Sequence, residues 1–87
     1  MNDSVIVSIV NTDGNYMEDF EIPANVKVGE WIGQVQKYLL AEKSEYFNYV
    51  RYSSKLVLMH NNAAIKDTDT IDSLRIMDGN ILTAAWR

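Results

Sequence analysis

Only one segment of this 87-residue chain has the spacing of an amphipathic helix, and strand-like segments lie on both sides of it. Apolar residues recur at intervals of three and four between Val28 and Glu42, which predicts a helix there. The flanking segments are β-branched or alternate between apolar and polar residues, which predicts strands. One helix covers one face of a sheet, so the pattern favours an α+β fold with four or five strands.

The first two strands are predicted to form an antiparallel hairpin. A β-branched run from Val5 to Val10 is followed by Asp13-Gly14, whose two residues tolerate the positive φ of a tight turn. Tyr16 to Ile22 then alternates, and Pro23 ends the strand because it has no N–H to donate. The residues predicted to face the core are Val5, Val7, Ile9, Phe20 and Ile22.

The helix contains one residue that is unfavourable in a helix, Gly33. Close packing of the helix on the sheet is the predicted reason. Trp31 falls on the apolar side and is predicted to lie in the core. The residue that caps the helix is left open between Asn25 and Lys27.

The second half of the chain is predicted to hold two strands and a short third one. Lys55 to Met59 and Ile81 to Trp86 are the main strands, and Ala64-Ile65 is the short one. Turns are predicted at His60 to Asn62 and at Asp78 to Asn80. The inward positions are predicted to be Leu56, Leu58, Leu82, Ala84 and Trp86, with Ile71, Leu74 and Ile76 anchoring the polar connection.

Composition and charge narrow the class of protein. The length predicts a single domain over residues 1–87, and the chain lacks cysteine, a signal peptide and any run long enough to span a membrane. We therefore expect a cytoplasmic protein without membrane insertion. A net charge of −4 disfavours nucleic acid as a partner. Six acidic residues and one basic residue lie within residues 1–30, which indicates either a solvated edge strand or a surface that steers a basic partner.

The residues that usually carry chemistry are few. His60 is the single histidine, and a lone histidine in a turn does not meet the geometric demands on a general base. The run Asp67–Asp72 differs from a calcium loop at a ligand position and at the required glycine. We therefore expect no catalytic residues, no cofactor and no metal. Four aromatic residues near Arg51 are expected to cover the open end of the core rather than stack on bases: Tyr46, Phe47, Tyr49 and Tyr52.

The last third of the chain, "TIDSLRIMDGNILTAAW", resembles ubiquitin-like proteins. The hairpin and the helix also come in the order of that family, so the resemblance implies a ubiquitin-like β-grasp fold. The positions that carry it are Thr70, Ile71, Leu74, Ile76, Leu82 and Ala84.

A narrower resemblance is to the small bacterial ubiquitin-like proteins of the YukD/EsaB type. It rests on "NYMEDFEIPANVKVGEWIGQVQKYLL" followed by "DSLRIMDGNIL". The resemblance implies a cytoplasmic accessory or regulatory component of the type VII (ESX-like) secretion machinery of Gram-positive bacteria. Its partner would be a secretion component. A separate alternative is a small assembly component, so the protein is expected to be a monomer or a weak homodimer formed through the edge strand or the aromatic segment.

Function through the end of the chain is the alternative. Ubiquitin-like modifiers and sulfur carriers act through a flexible tail that ends in Gly-Gly, whereas this sequence ends in Trp86-Arg87. We therefore expect no conjugation. The resemblance and the strand parity instead imply protein binding through the outer sheet face, centred on Val57. The residues predicted to form that face are Lys55, Val57, Met59, Thr83 and Ala85, with His60 at its edge.

Overall fold

The computed structural model describes residues 3–51 and 53–87, and it contains a five-stranded mixed sheet with one α-helix. The strand order is β2-β1-β5-β3-β4, in which β1 and β5 run parallel and the other neighbours antiparallel. The strands are β1 Ser4–Asn11, β2 Met17–Pro23, β3 Leu56–His60, β4 Ala63–Ala64 and β5 Ile81–Trp86. The sheet, the hairpin and the helix on one face are as predicted.

The helix is shorter than its apolar spacing suggests. Val28–Glu30 is a turn of 3₁₀ helix, and the α-helix α1 spans Ile32–Glu42. Neither predicted residue caps α1 through its side chain. The prediction that the α-helix begins at Val28 was wrong, because this first turn is bonded to a loop distant in the sequence. The N–H groups of Val28 and Gly29 donate to the carbonyls of Asp69 and Asp67, at 2.8 and 3.0 Å.

The core lies between α1 and the inner face of the sheet. The inward strand residues predicted from alternation are buried, except that Val5, Phe20 and Trp86 are half-buried at its margin. The helix adds Val35 and Leu39, and Trp31 is buried as predicted. Ile71 and Ile76 anchor the connection before β5, with Leu74 packed against the cluster.

Gly33 does not pack closely against anything. A Cβ atom at Gly33 would meet none of the described residues within 4 Å, so the predicted close contact of helix and sheet at this residue was wrong. The close approach occurs at Gly29, where an added Cβ would lie 2.9 Å from the Cβ of Asp67.

His60 is the last residue of β3 rather than part of the turn that follows. The turn consists of Asn61 and Asn62, both with positive φ, and His60 pairs with Ala63 across it. Positive φ at both central residues is the geometry of a two-residue type I′ hairpin, which asparagine tolerates. The other predicted tight turns have Gly14 and Gly79 at positive φ.

Part of the aromatic segment after α1 covers one end of the core, as predicted. Phe47 is buried and its ring stands edge-on to Tyr16 and Trp86. Tyr46 is half-buried against the Tyr16 ring, and Tyr49 is exposed. Tyr52 lies outside the described residues.

Candidate functional site

Two cross-strand pairs bring four of the predicted docking residues together. Val57 pairs with Ala85, and Met59 pairs with Thr83, on adjacent antiparallel strands β3 and β5. The β3 residues next to Val57, Leu56 and Leu58, are buried on the helix side, so strand alternation places the four on the outer face. All four are half-buried.

The other two predicted residues do not lie within this cluster. Lys55 and Arg87 form two backbone hydrogen bonds with each other just beyond the strand ends, at 2.7 and 3.1 Å, and both line a groove beside α1. His60 has the same parity as Leu58, so alternation directs its side chain to the opposite side of the sheet. The outer-face cluster therefore excludes Lys55 and His60, and it consists of Val57, Met59, Thr83 and Ala85.

Strand register extends this cluster across the sheet. Met59 pairs with Thr83, Thr83 with Val10, and Val10 with Met17, so one row of side chains crosses β3, β5, β1 and β2. We call these four residues the outer row. Met17 is 66% exposed, although it is a large apolar side chain. The β1 and β2 members of the row were not predicted from the sequence, because their place in it depends on the parallel register of β1 with β5.

Further apolar side chains adjoin the outer row on the same face. Ile81 pairs with Ser8 beside the row and is 55% exposed, and Ile6 is 50% exposed. Large apolar side chains exposed together, rather than singly, are typical of protein-binding surfaces.

Carboxylates border the outer face along β2, at the edge of the sheet. The hydroxyls of Ser8 and Ser4 donate to Asp19 and Glu21, each at 2.7 Å. Asp78 accepts the backbone N–H of Ile6 at 2.8 Å. The predicted acidic strand is thus an edge strand, and its charges border the apolar surface on one side.

Glu18, on the other face of β2, joins the hairpin to α1. It accepts hydrogen bonds from the hydroxyls of Tyr16 at 2.6 Å and Tyr38 at 2.7 Å, and Lys43 lies 3.9 Å away. These two hydroxyls hold the pKa of Glu18 below its ordinary value. Burial, together with the Glu18 carboxylate, raises the pKa of Tyr16. The cluster therefore serves to hold an ionised carboxylate between strand and helix.

Glu18→Gln is expected to lower the free energy of unfolding by about 1 kcal/mol at pH 7, because charged hydrogen bonds are lost from a partly exposed site. Since the folded-state pKa of Glu18 lies below its unfolded value of about 4.3, its contribution is present above that pH. It is lost as the pH falls through the folded-state pKa. Urea unfolding of both proteins from pH 7 to pH 3 should show the difference shrinking. Glu30→Gln, on the exposed 3₁₀ turn, is the control; equal losses for both variants would contradict the assignment.

Two observations concern other kinds of site. Among the described residues, no group of three or more acidic or histidine side chains is arranged to hold a metal ion. Within residues 3–51 and 53–87, no helix has the length and apolar character needed to cross a membrane.

The sequence matches no protein-family model and no curated protein. Solved structures, by contrast, resemble it over nearly its whole length. An N-terminal ubiquitin-like domain solved in solution has a TM-score of 0.70 and 21% identity, covering 100% of this chain and 78% of that chain. The ubiquitin of Caldiarchaeum subterraneum has a TM-score of 0.66 and 22% identity, and the likeness covers 97% of this chain and 94% of that chain.

A third similar structure is a chain of an ESX-5 inner membrane complex, with a TM-score of 0.79 and 15% identity. The likeness covers 99% of this chain and 21% of that much longer one. Likeness at these identities shows the fold: a ubiquitin-like β-grasp, with a five-stranded mixed sheet and one helix.

Proposed function

We propose that residues 1–87 form a single, non-catalytic ubiquitin-like interaction domain that docks a protein partner on the outer face of its sheet. The outer row carries this proposal, because it brings Met17, Val10, Thr83 and Met59 into one line across four strands. Val57 and Ala85 widen it on one side, and Ile81 adjoins it near β1. Apolar side chains at the centre with charged ones at the margin are the usual anatomy of a docking surface.

The partner we propose is a subunit of a type VII (ESX-like) secretion system, with this protein as a cytoplasmic accessory or regulatory component. Two observations support it. The sequence resembles the YukD/EsaB type in its hairpin, its helix and its last turn, and the fold is similar to part of a chain in an ESX-5 inner membrane complex. The acidic border of the face suits a partner with basic residues around an apolar centre.

Affinity purification of N-terminally tagged protein from its own host, with wild type and Val57→Asp compared, tests this proposal. We expect secretion-system subunits to be captured without covalent linkage. A carboxylate in the apolar face should lower the affinity for the captured subunit at least ~10-fold, because it must be desolvated on binding. Val26→Asp is the control, since it makes the same chemical change at a residue that is 39% exposed and lies before the helix.

Two further measurements decide the result if Val57→Asp folds poorly. Ile81→Asp places the same charge at a more exposed position, and thermal unfolding checks each variant. Unchanged capture by both folded variants would contradict docking on this face. Mass spectrometry that found residue 87 joined to lysines, or carrying a thiocarboxylate, would instead establish a modifier or sulfur carrier. A stable dimer in sedimentation that Ile81→Asp dissociates would assign the outer face to self-association.

A further inference from the structure

A second surface lies on the helix side of the sheet, between α1 and the start of β3. It is a groove with a volume of about 360 Å³. Its apolar lining comes from Ile32 and Leu40 on the helix and Leu56 on the strand. The outer row, on the opposite face of the sheet, contributes none of the residues that line it.

Gly33 lies in this groove and has no structural reason to be glycine. It is exposed, its φ is not in the left-handed region, and within residues 3–51 and 53–87 a Cβ atom there would have no neighbour closer than 4 Å. Glycine in a helix is destabilising relative to alanine, because its backbone loses more conformational freedom on folding. What the missing side chain provides is open helix backbone that another chain can approach closely.

The walls of the groove are held in place by Gln36. Its amide nitrogen donates to the carbonyl of Ser54 at 3.3 Å, and its amide oxygen accepts the N–H of Leu56 at 2.9 Å. Both ends of this side chain therefore tie α1 to the beginning of β3. A groove held in this way needs little rearrangement to bind a ligand.

The charges around the groove are mostly positive, although the chain as a whole carries −4. Lys37, Lys55 and Arg87 line it, against a single acidic residue, Asp67. The first turn of α1 contains no acidic residue, and no side chain caps it, so the positive end of the helix dipole adds to the same field. This distribution is complementary to an anionic ligand.

We infer that this groove is a second docking site, and that its occupant is an extended, acidic segment of a partner protein. An apolar side chain of that segment would lie on Ile32, Leu40 and Leu56, and its backbone would pass over Gly33. Carboxylates on either side would meet Lys37, Lys55 and Arg87. The site does not depend on the outer row, so it stands or falls separately from the proposed function.

Selection of a displayed library of random 12-residue peptides on the wild-type protein tests the inference. Lys37→Glu serves for counter-selection, and Arg51→Glu, which makes the same charge change on an exposed residue lining a different cavity, is the matched control. The expected peptides are rich in Asp and Glu around one or two apolar residues. Their binding should shift the amide resonances of residues 32–37 and 55–56, and should weaken at least tenfold in Lys37→Glu but not in Arg51→Glu.

Gly33→Ala separates docking from folding. Alanine fits the space, so Tm should rise by about 2–4 °C, while the affinity for the selected peptides should fall at least fivefold. Val57→Asp, on the outer face, should bind the same peptides normally. Selection without acidic enrichment, resonance shifts confined to the outer face, or unchanged affinity in Gly33→Ala would each overturn the inference.

Discussion

Phe47→Ala is expected to lower the free energy of unfolding by about 3–5 kcal/mol, the range for removing a fully buried aromatic side chain. Phe47 is 2% exposed, and its ring centroid lies 5.5 Å from that of Tyr16 and 5.7 Å from that of Trp86, with both contacts edge-on. Truncation removes these contacts and leaves a cavity beside the rings of Tyr16 and Trp86. Guanidinium unfolding followed by far-UV circular dichroism measures the loss.

Tyr49→Ala is the control for this prediction, because Tyr49 lies in the same segment but is 48% exposed. It should change stability by less than about 0.5 kcal/mol. A domain of this length has a total stability of only about 4–13 kcal/mol, so Phe47→Ala could leave too little folded protein to measure. Phe47→Leu, with an expected loss of about 1–1.5 kcal/mol, then reports on the same site. Similar losses at residues 47 and 49 would contradict a core role for the Phe47 ring.

The faces of the strands were predictable because they depend on local alternation. Leu56 and Leu58, and likewise Leu82 and Ala84, alternate with residues that are less buried, and all four are buried in the structure. The turn at Gly79 was predictable for a similarly local reason, since its positive φ is a property of a single residue.

Features that depend on contacts distant in the chain were not predictable in this way. The outer row needs the parallel register of β1 with β5, which joins Val10 to Thr83 across more than seventy residues of sequence. No periodicity within either strand specifies that pairing. Four of the predicted residues, Val57, Met59, Thr83 and Ala85, therefore lie on one face of the adjacent strands β3 and β5 as predicted. That Val10, Met17 and Ile81 lie on the same face was not predicted.

His60 and Lys55 show a second limit, which concerns the ends of elements. A shift of one residue in the predicted end of β3 placed His60 in a turn, whereas it is the last strand residue and has inward parity. Lys55 has the parity of the outer face but lies before the strand begins and lines the groove beside α1. Side-chain direction at a strand end depends on where pairing stops, and turn residues such as Asn61 do not specify that by themselves.

The second large effect on stability is expected at Gly29, in the 3₁₀ turn before α1. Gly29→Ala is expected to lower the free energy of unfolding by about 1–3 kcal/mol, as overpacking does. The new Cβ would lie 2.9 Å from the Cβ of Asp67 and 3.3 Å from its carbonyl oxygen. To relieve this contact the loop must move away, which weakens the 3.0 Å hydrogen bond from the N–H of Gly29 to that same oxygen. Urea unfolding at pH 7 measures the loss.

Gly33→Ala is the matched control, because it makes the same chemical change four residues later, where the part of the chain that the structure describes leaves room for the added methyl group. The two substitutions should therefore change stability in opposite directions. If both stabilise the protein, the loop at Asp67 yields readily and Gly29 is not required for packing. If both destabilise it, Gly33 has a role in the fold itself. The glycine would then no longer support the inference that the groove beside α1 binds a partner. Only opposite signs are consistent with one glycine that serves the fold and another that leaves the groove open.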